Sequence, residues 1–325
     1  MQILFLEIKD LKVSYKTVNG KSIVLNNFSI SIDKGDSISI VGESGSGKTT
    51  LGGAITRLLP PSAEESGEIL LDGRDLLKLS EDEMTLVRGT EIFMIFQNPL
   101  NSLNPVKTVG YQLNQAAVIK AERDKTGGTE EQLHDTVINA LKSVRLPDPE
   151  QIIKRFPHEL SGGQVQRVVI AMALILKPKL LIADEPTTAL DVTIQAQVIN
   201  LLKEMNRNYG MSIIFITHDL SLAYVISNKI MVMYAGTIME FNESGVIVKN
   251  ARHPYTIALL KSVPTDYKSN SRLFYIKGSP PSFFNLPHGC RFSTRCDKVF
   301  GKCREEEPPL ISEGGDYKVR CWLFE

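Results

Sequence analysis

The stretch DSISIVGESGSGKTTLGGAITRLL, residues 36–59, decides the fold. DSISIVG (36–42) alternates polar and apolar residues and reads as a strand, and GKTTLGGAITRLL (47–59) reads as a helix ended by Pro60-Pro61. Between them GESGSGKT (42–49) fits G-x-x-x-x-G-K-[ST] in the strand–loop–helix setting that this pattern requires. Gly42, Gly45 and Gly47 permit backbone conformations that turn N–H groups into one concavity. The helix beginning near Lys48 adds its positive N-terminal end. Such a concavity holds nucleotide phosphates, with Lys48 as a point charge on the β- and γ-phosphates and the Thr49 hydroxyl on Mg²⁺. Glu43, Ser44, Ser46 and Thr50 complete the run assigned to ATP.

Two further runs extend that chemistry. LLIADEP (180–186) is an apolar strand ending in two carboxylates, and an unpaired buried charge there is costly without a task. Asp184 fits the role of holding Mg²⁺, and Glu185, one residue on, fits a general base for the attacking water. LSGGQVQR (160–167) stands before an apolar helix that Ser161 can cap, with Gly162-Gly163 leaving the first N–H groups open. It is a second anion site built like the first. Two phosphate cradles and one Mg²⁺ site in a single chain imply that each cradle serves a different nucleotide.

The bulk composition sets limits. A chain of 325 residues predicts one large domain or two. Lys+Arg and Asp+Glu are both 37, so no global charge argues for a nucleic-acid partner. The longest purely apolar run, VVIAMALIL (168–176), is too short to span a bilayer. The start, MQILFLEIKDLK, lacks a basic n-region and does not read as a signal peptide, so a cytosolic chain is expected. No internal repeat is visible. GEILLDGRDL (67–76), EIFMIFQ (91–97), SIIFIT (212–217) and KIMVMYAG (229–236) read as strand material, and strands alternate with helices as in an α/β fold. Residues 101–177 turn helical, as in TEEQLHDTVINALKSV (129–144), where Thr129 and Gln132 form a capping box. The expected organisation is a core from 1–100 and 178–250, a helical insertion at 101–177, and a small Pro-rich domain from 251 to 325.

GESGSGKT, Gln97, LSGGQ, LLIADEP, TALD (188–191) and His218, in this order and spacing, resemble the ATP-binding-cassette (ABC) ATPases. The resemblance covers about residues 1–245. It implies a RecA-like core with an antiparallel β subdomain and an inserted helical subdomain, and two cassettes packed head to tail around two ATPs. Ser161, Gly162, Gly163 and Gln164 would then touch the γ-phosphate held by the partner's loop. Gln97 would approach Mg²⁺ and report its state to the helical insertion. His218 would contact the γ-phosphate, Asp191 would communicate across the dimer, and Tyr15 would stack on adenine.

QNPLNSLNP (97–105), HPYTIALLKSVP (253–264) and GSPPSFFNLPHGCRFSTRC (278–296) resemble the ATP-binding subunits of dipeptide and oligopeptide permeases, over almost the whole chain. The nickel-import ATPases are near relatives of that group. The resemblance implies a homologous second ATPase, two membrane-spanning permease subunits, an extracytoplasmic binding protein and a place at the cytoplasmic face of the membrane. A soluble ABC ATPase acting on ribosomes or nucleic acid is the reading from another class. All four cysteines fall in the last 36 residues, spaced Cys290-x5-Cys296-x6-Cys303-x17-Cys321. Four thiolates suit tetrahedral zinc or an iron–sulfur cluster, and disulfides or free thiols are the remaining readings. No pair has the C-x2–4-C spacing of structural zinc, and the longer loops suit a bulkier cluster. The family resemblance also points to a [4Fe–4S] cluster. Arg291, Arg295, Lys298 and Lys302 lie among these cysteines, either as countercharges or as a solvated face.

Overall fold

The computed structural model describes residues 4–18, 20–188, 190–263, 274–312 and 317–325; Ala189 of the TALD run lies outside them. The chain divides into two compact units, one of residues 1–78 with 215–325, the other of 79–214.

In the first unit an antiparallel sheet runs in the order Gly20–Ile32, Leu6–Thr17, Ala63–Leu71, Arg74–Asp75. Leu6 faces both Ile32 and Leu71. The strand Ser37–Val41 is buried at every residue, as a strand covered on both faces must be, and it pairs in parallel with Lys229–Tyr234. The helix Lys48–Thr56 follows the phosphate loop. It stops short of the prolines expected to end it: Arg57 turns left-handed (φ 51°) and its N–H bonds back to the Ala54 carbonyl. The chain then folds onto the helix so closely that a Cβ at Gly53 would meet Leu59 at 2.5 Å.

The tail does not stand apart as a small domain. Lys318–Val319 pairs with Thr237–Glu243 and Ile311–Ser312 adds outside it, so the end of the chain extends a sheet of the first unit. Glu240, fully buried on that sheet, accepts from the Arg252 N–H (2.7 Å), the His253 N–H (3.1 Å) and the Tyr317 hydroxyl (2.5 Å). Three donors make a buried carboxylate tolerable, and they tie the helix Pro254–Ser262 and the tail to one residue. A continuous core joins Val41 and Tyr234 to Tyr255, Phe292, Cys290 and Cys303. Hydrophobic burial alone would leave a Pro-rich piece of 75 residues (251–325) marginal, and sharing a core with the sheet removes that problem.

In the second unit Ile92–Ile95 pairs in parallel with Leu180–Asp184. The helices Val109–Arg123, Glu130–Ser143 and Gly162–Leu176 pack on one another, with Leu113, Leu141, Val165 and Val168 fully buried. Thr129 and Gln132 form the expected capping box.

His253 yields a pH prediction. Its Nδ1 accepts the Tyr255 N–H (3.0 Å) and caps Pro254–Ser262, while burial pushes its pKa down to about 3, against a smaller upward pull from a backbone bond to Arg320. Below pH ~6.5 the unfolded chain binds a proton there that the folded chain refuses, so stability falls as pH falls. Between pH 7 and 5.5 the loss is about 1 kcal/mol. Urea unfolding should show that increment in the native chain and not in His253→Asn, which keeps a capping acceptor.

Candidate functional site

The phosphate loop is shaped by close backbone approach. A Cβ on Gly42 would collide with the Met233 carbonyl oxygen. Gly45 (φ 77°) and Gly47 (φ 98°) hold conformations that other residues adopt only under strain. Lys48 is buried and its Nζ donates to the Gly42 carbonyl (2.8 Å), the Glu43 carbonyl (2.9 Å) and Ser46 Oγ (3.3 Å). The cation is thereby held within the curl of the loop, where an anion's oxygens would meet it. Ser44 and Gly45 are exposed on the loop, and Thr49 is exposed in the first turn of the helix. Tyr15 lies beside the same helix, its hydroxyl 3.3 Å from Thr50 Oγ1. His218, in the same unit, is exposed at the end of the strand Ser212–Thr217, in a cleft with Leu220, Leu259 and Val263.

The second unit holds the two strand-end carboxylates and Gln97. Asp184 is buried at the last position of its strand. Glu185 follows with φ 45°, an uncommon conformation for a glutamate that re-aims its carboxylate. Gln97 Nε2 donates to Glu185 Oε2 (3.0 Å), and Thr188 Oγ1 donates to the same oxygen (3.0 Å). With its amide nitrogen so engaged, Gln97 keeps its amide oxygen as a donor atom. Ser161 caps Gly162–Leu176 in a capping box: its hydroxyl accepts the Gln164 N–H (3.4 Å) and its own N–H donates to Gln164 Oε1 (3.0 Å). Asp191 caps Val192–Tyr209 by accepting the Ile194 N–H (2.9 Å). Gly162 has nothing within 4 Å of the place a Cβ would take, so no contact inside the chain explains its being glycine.

The four cysteines line one cavity together with His253, Pro254 and Trp322. All four are free, so the disulfide reading is set aside. Burial pushes Cys290 up to about 12 and raises Cys296 and Cys321, and neighbouring thiols raise each of them further. Four thiolates would therefore repel one another unless a cation joined them. Among the described residues, however, no three His, Cys, Asp or Glu side chains stand in a metal-holding group, so the four-cysteine motif has its donor atoms around one cavity but not the geometry of a metal centre. The basic residues around it are committed in part. Arg291 donates to the Ala235 carbonyl, Lys302 pairs with Glu325, and Arg295 pairs with Glu43 of the phosphate loop. Arg295 is adjacent to Cys296 in sequence, but nothing local marks its pairing with Glu43, nor the Tyr255 hydroxyl as an acceptor for the Glu43 N–H.

A phosphate loop, a carboxylate pair at a strand end and a capped Ser-Gly-Gly helix define an ATP-binding cassette. Residues 25–188 match the ABC transporter family, and the chain belongs to it. Residues 239–303 match the oligopeptide/dipeptide transporter C-terminal region. The chain is 45% identical over 322 residues to an oligopeptide transport ATP-binding protein of Bacillus subtilis (strain 168), covering 98% of this chain and 88% of that protein. It is 42% identical to a dipeptide transport ATP-binding protein of the same organism, covering 98% and 94%. Among solved structures it resembles a dimeric ATP-binding cassette in a post-hydrolysis state bound to ADP and Pi, with TM-score 0.65, 29% identity and 74% and 98% of the two chains covered. Among the described residues no helix is long and apolar enough to cross a membrane.

Gly236 tests the packing behind the loop. Its φ is 83°, its N–H donates to the Ser46 carbonyl (2.9 Å), and a Cβ there would collide with the Val24 carbonyl oxygen. Gly236→Ala should destabilise the protein by about 3 kcal/mol and weaken ATP binding with it. Gly245→Ala, in open space within the helix Ser244–Asn250, should be neutral or stabilising by up to about 1 kcal/mol. Denaturant melts of both variants, with ATP titrations, check the pair.

Proposed function

We propose that this chain is the ATP-hydrolysing subunit of an importer that carries dipeptides or oligopeptides across the cell membrane. The observation that carries the reading is the near full-length likeness to oligopeptide and dipeptide transport ATP-binding proteins, joined to a match in the C-terminal region named for the same transporters. The names of those relatives favour peptide over nickel as cargo, and the match at 239–303 favours membrane transport over work on nucleic acid.

In this reading the loop Gly42–Thr50 receives the ATP phosphates, Lys48 neutralises the β/γ-phosphates, and Tyr15 stacks on the adenine. Thr49, Gln97 and Asp184 would hold Mg²⁺; a hydroxyl, an amide oxygen and a carboxylate are the hard oxygen donors that ion takes. When bound, Mg²⁺ neutralises charge on the transferring phosphoryl group. Glu185 takes the proton of the attacking water, and the bonds from Gln97 and Thr188 keep its carboxylate aimed. His218 contacts the γ-phosphate. The open space where a Gly162 side chain would stand, among the described residues, supports a second cassette approaching Ser161–Gln164 closely, with Asp191 near that contact. The partner cassette is a homologous ATPase subunit, and the pair drives two permease subunits served by an extracytoplasmic peptide-binding protein, from the cytoplasmic face.

The four cysteines are proposed to hold a [4Fe–4S] cluster. An all-sulfur donor set around one cavity supports it, on cysteines that, among the described residues, do not already stand as a metal-holding group. Such a cluster would staple the Pro-rich segment.

Two measurements decide these readings. In the complex assembled with its partner subunits in proteoliposomes, ATP should drive uptake of a labelled short peptide. Glu185→Gln should keep ATP binding and lose hydrolysis by about a hundredfold or more. Uptake of Ni²⁺ but not peptide would overturn the cargo, and wild-type turnover in Glu185→Gln would overturn the base. Anaerobically purified chain should be brown with about four irons and four sulfides; a colourless chain with zinc, or with no metal, would remove the cluster.

A further inference from the structure

Arg295 and Glu43 are 252 residues apart in sequence and form a two-pronged ion pair: Nη1 to Oε2 at 2.5 Å and Nη2 to Oε1 at 3.0 Å. The Arg295 side chain is only 3% exposed and the Glu43 side chain 27%. Every N–H of the guanidinium is used, since Nε donates to the Lys277 carbonyl (2.9 Å), Nη2 also to the Ile276 carbonyl (3.3 Å), and Nη1 also to the Tyr234 hydroxyl (3.2 Å). Burial works against the charge, but the bonds to Glu43 and Tyr234 outweigh it and hold the guanidinium above its usual value. Glu43 is gripped a second time, its backbone N–H donating to the Tyr255 hydroxyl at 3.0 Å. Tyr255, Tyr234 and Phe292 meet edge-on or tilted, with ring centroids 4.7–5.3 Å apart, and form an apolar block beside the pair.

Glu43 is the second residue of GESGSGKT. A carboxylate in a loop that receives a polyphosphate repels its ligand unless a cation offsets it. We propose that Arg295 is a positioning residue of the phosphate loop, which cancels the Glu43 charge and, with Tyr255, fixes the loop backbone for ATP. The C-terminal segment is on this account part of the nucleotide site's construction. The inference rests on the reading of Gly42–Thr50 as the ATP phosphate site.

Binding of a fluorescent ATP analogue with Mg²⁺ to the full chain tests it. Arg295→Met should weaken binding on the order of tenfold. Adding Glu43→Gln to it should recover most of that loss, because the uncompensated carboxylate is gone. Glu43→Gln alone leaves an uncompensated cation by the phosphates, and should tighten binding by roughly threefold with a steeper salt dependence. A purely architectural Arg295 predicts neither the recovery nor the tightening. Wild-type affinity in a folded Arg295→Met overturns the proposal, as does a loss that Glu43→Gln fails to recover. Should Arg295→Met not fold, unchanged affinity and salt dependence in Glu43→Gln overturn it instead. Lys48→Ala separates the two readings: if it binds ATP as the wild type does, the phosphate-loop assignment itself falls; if it loses ATP while the Arg295 and Glu43 variants are silent, only this inference falls.

Discussion

The first unit depends on how closely backbone can approach backbone around the phosphate loop. Gly42 leaves no room for a side chain against the Met233 carbonyl, and Gly236 leaves none against Val24. Beside these contacts the Gly236 N–H donates to the Ser46 carbonyl and the Lys48 ammonium to the carbonyls of Gly42 and Glu43. A loop that offers its N–H groups to an anion must turn its carbonyls elsewhere, and here those of Gly42, Glu43 and Ser46 face donors within the protein. The shape of the cradle is thus a consequence of satisfying its back.

The C-terminal segment belongs to that back wall. Tyr255 and Arg295 hold Glu43, and Glu240 on the sheet holds the approach of the helix that carries Tyr255. A buried ion pair is not stabilising merely by existing, since desolvation offsets most of its attraction, whereas losing one partner costs about 3–5 kcal/mol. Such a pair specifies a position more than it adds stability. The aromatic block beside it, with each ring pair contributing about 0.5–1.5 kcal/mol beyond burial, supplies the cohesion. The cysteine cavity lies against the same core, with Cys290 and Cys303 packed into it.

In the second unit the constraint is the aim of one carboxylate. Glu185 sits in a left-handed conformation and shares one oxygen between Gln97 and Thr188. Sequence order separates Gln97 and Glu185 by 88 positions, and the parallel pairing of Ile92–Ile95 with Leu180–Asp184 places the ends of both strands at the same edge.

The sequence by itself determined what short-range physics encodes. GESGSGKT between a strand and a helix, the apolar runs LLIAD and SIIFIT, the capping box at Thr129 and the cap at Ser161 all depend on neighbours within a few residues, and each stands in the structure. The end of the loop helix was misjudged because Arg57 and the Gly53–Leu59 contact stop it before the prolines do. The tail was expected as a separate small domain because its Pro content hides its pairing with Thr237–Glu243. Arg295 read as a cation among cysteines, and only the tertiary structure turned it to Glu43. Nothing local marks a partner 252 residues away; sheet pairing and a shared core bring the two together, and burial then makes their charges answer to each other.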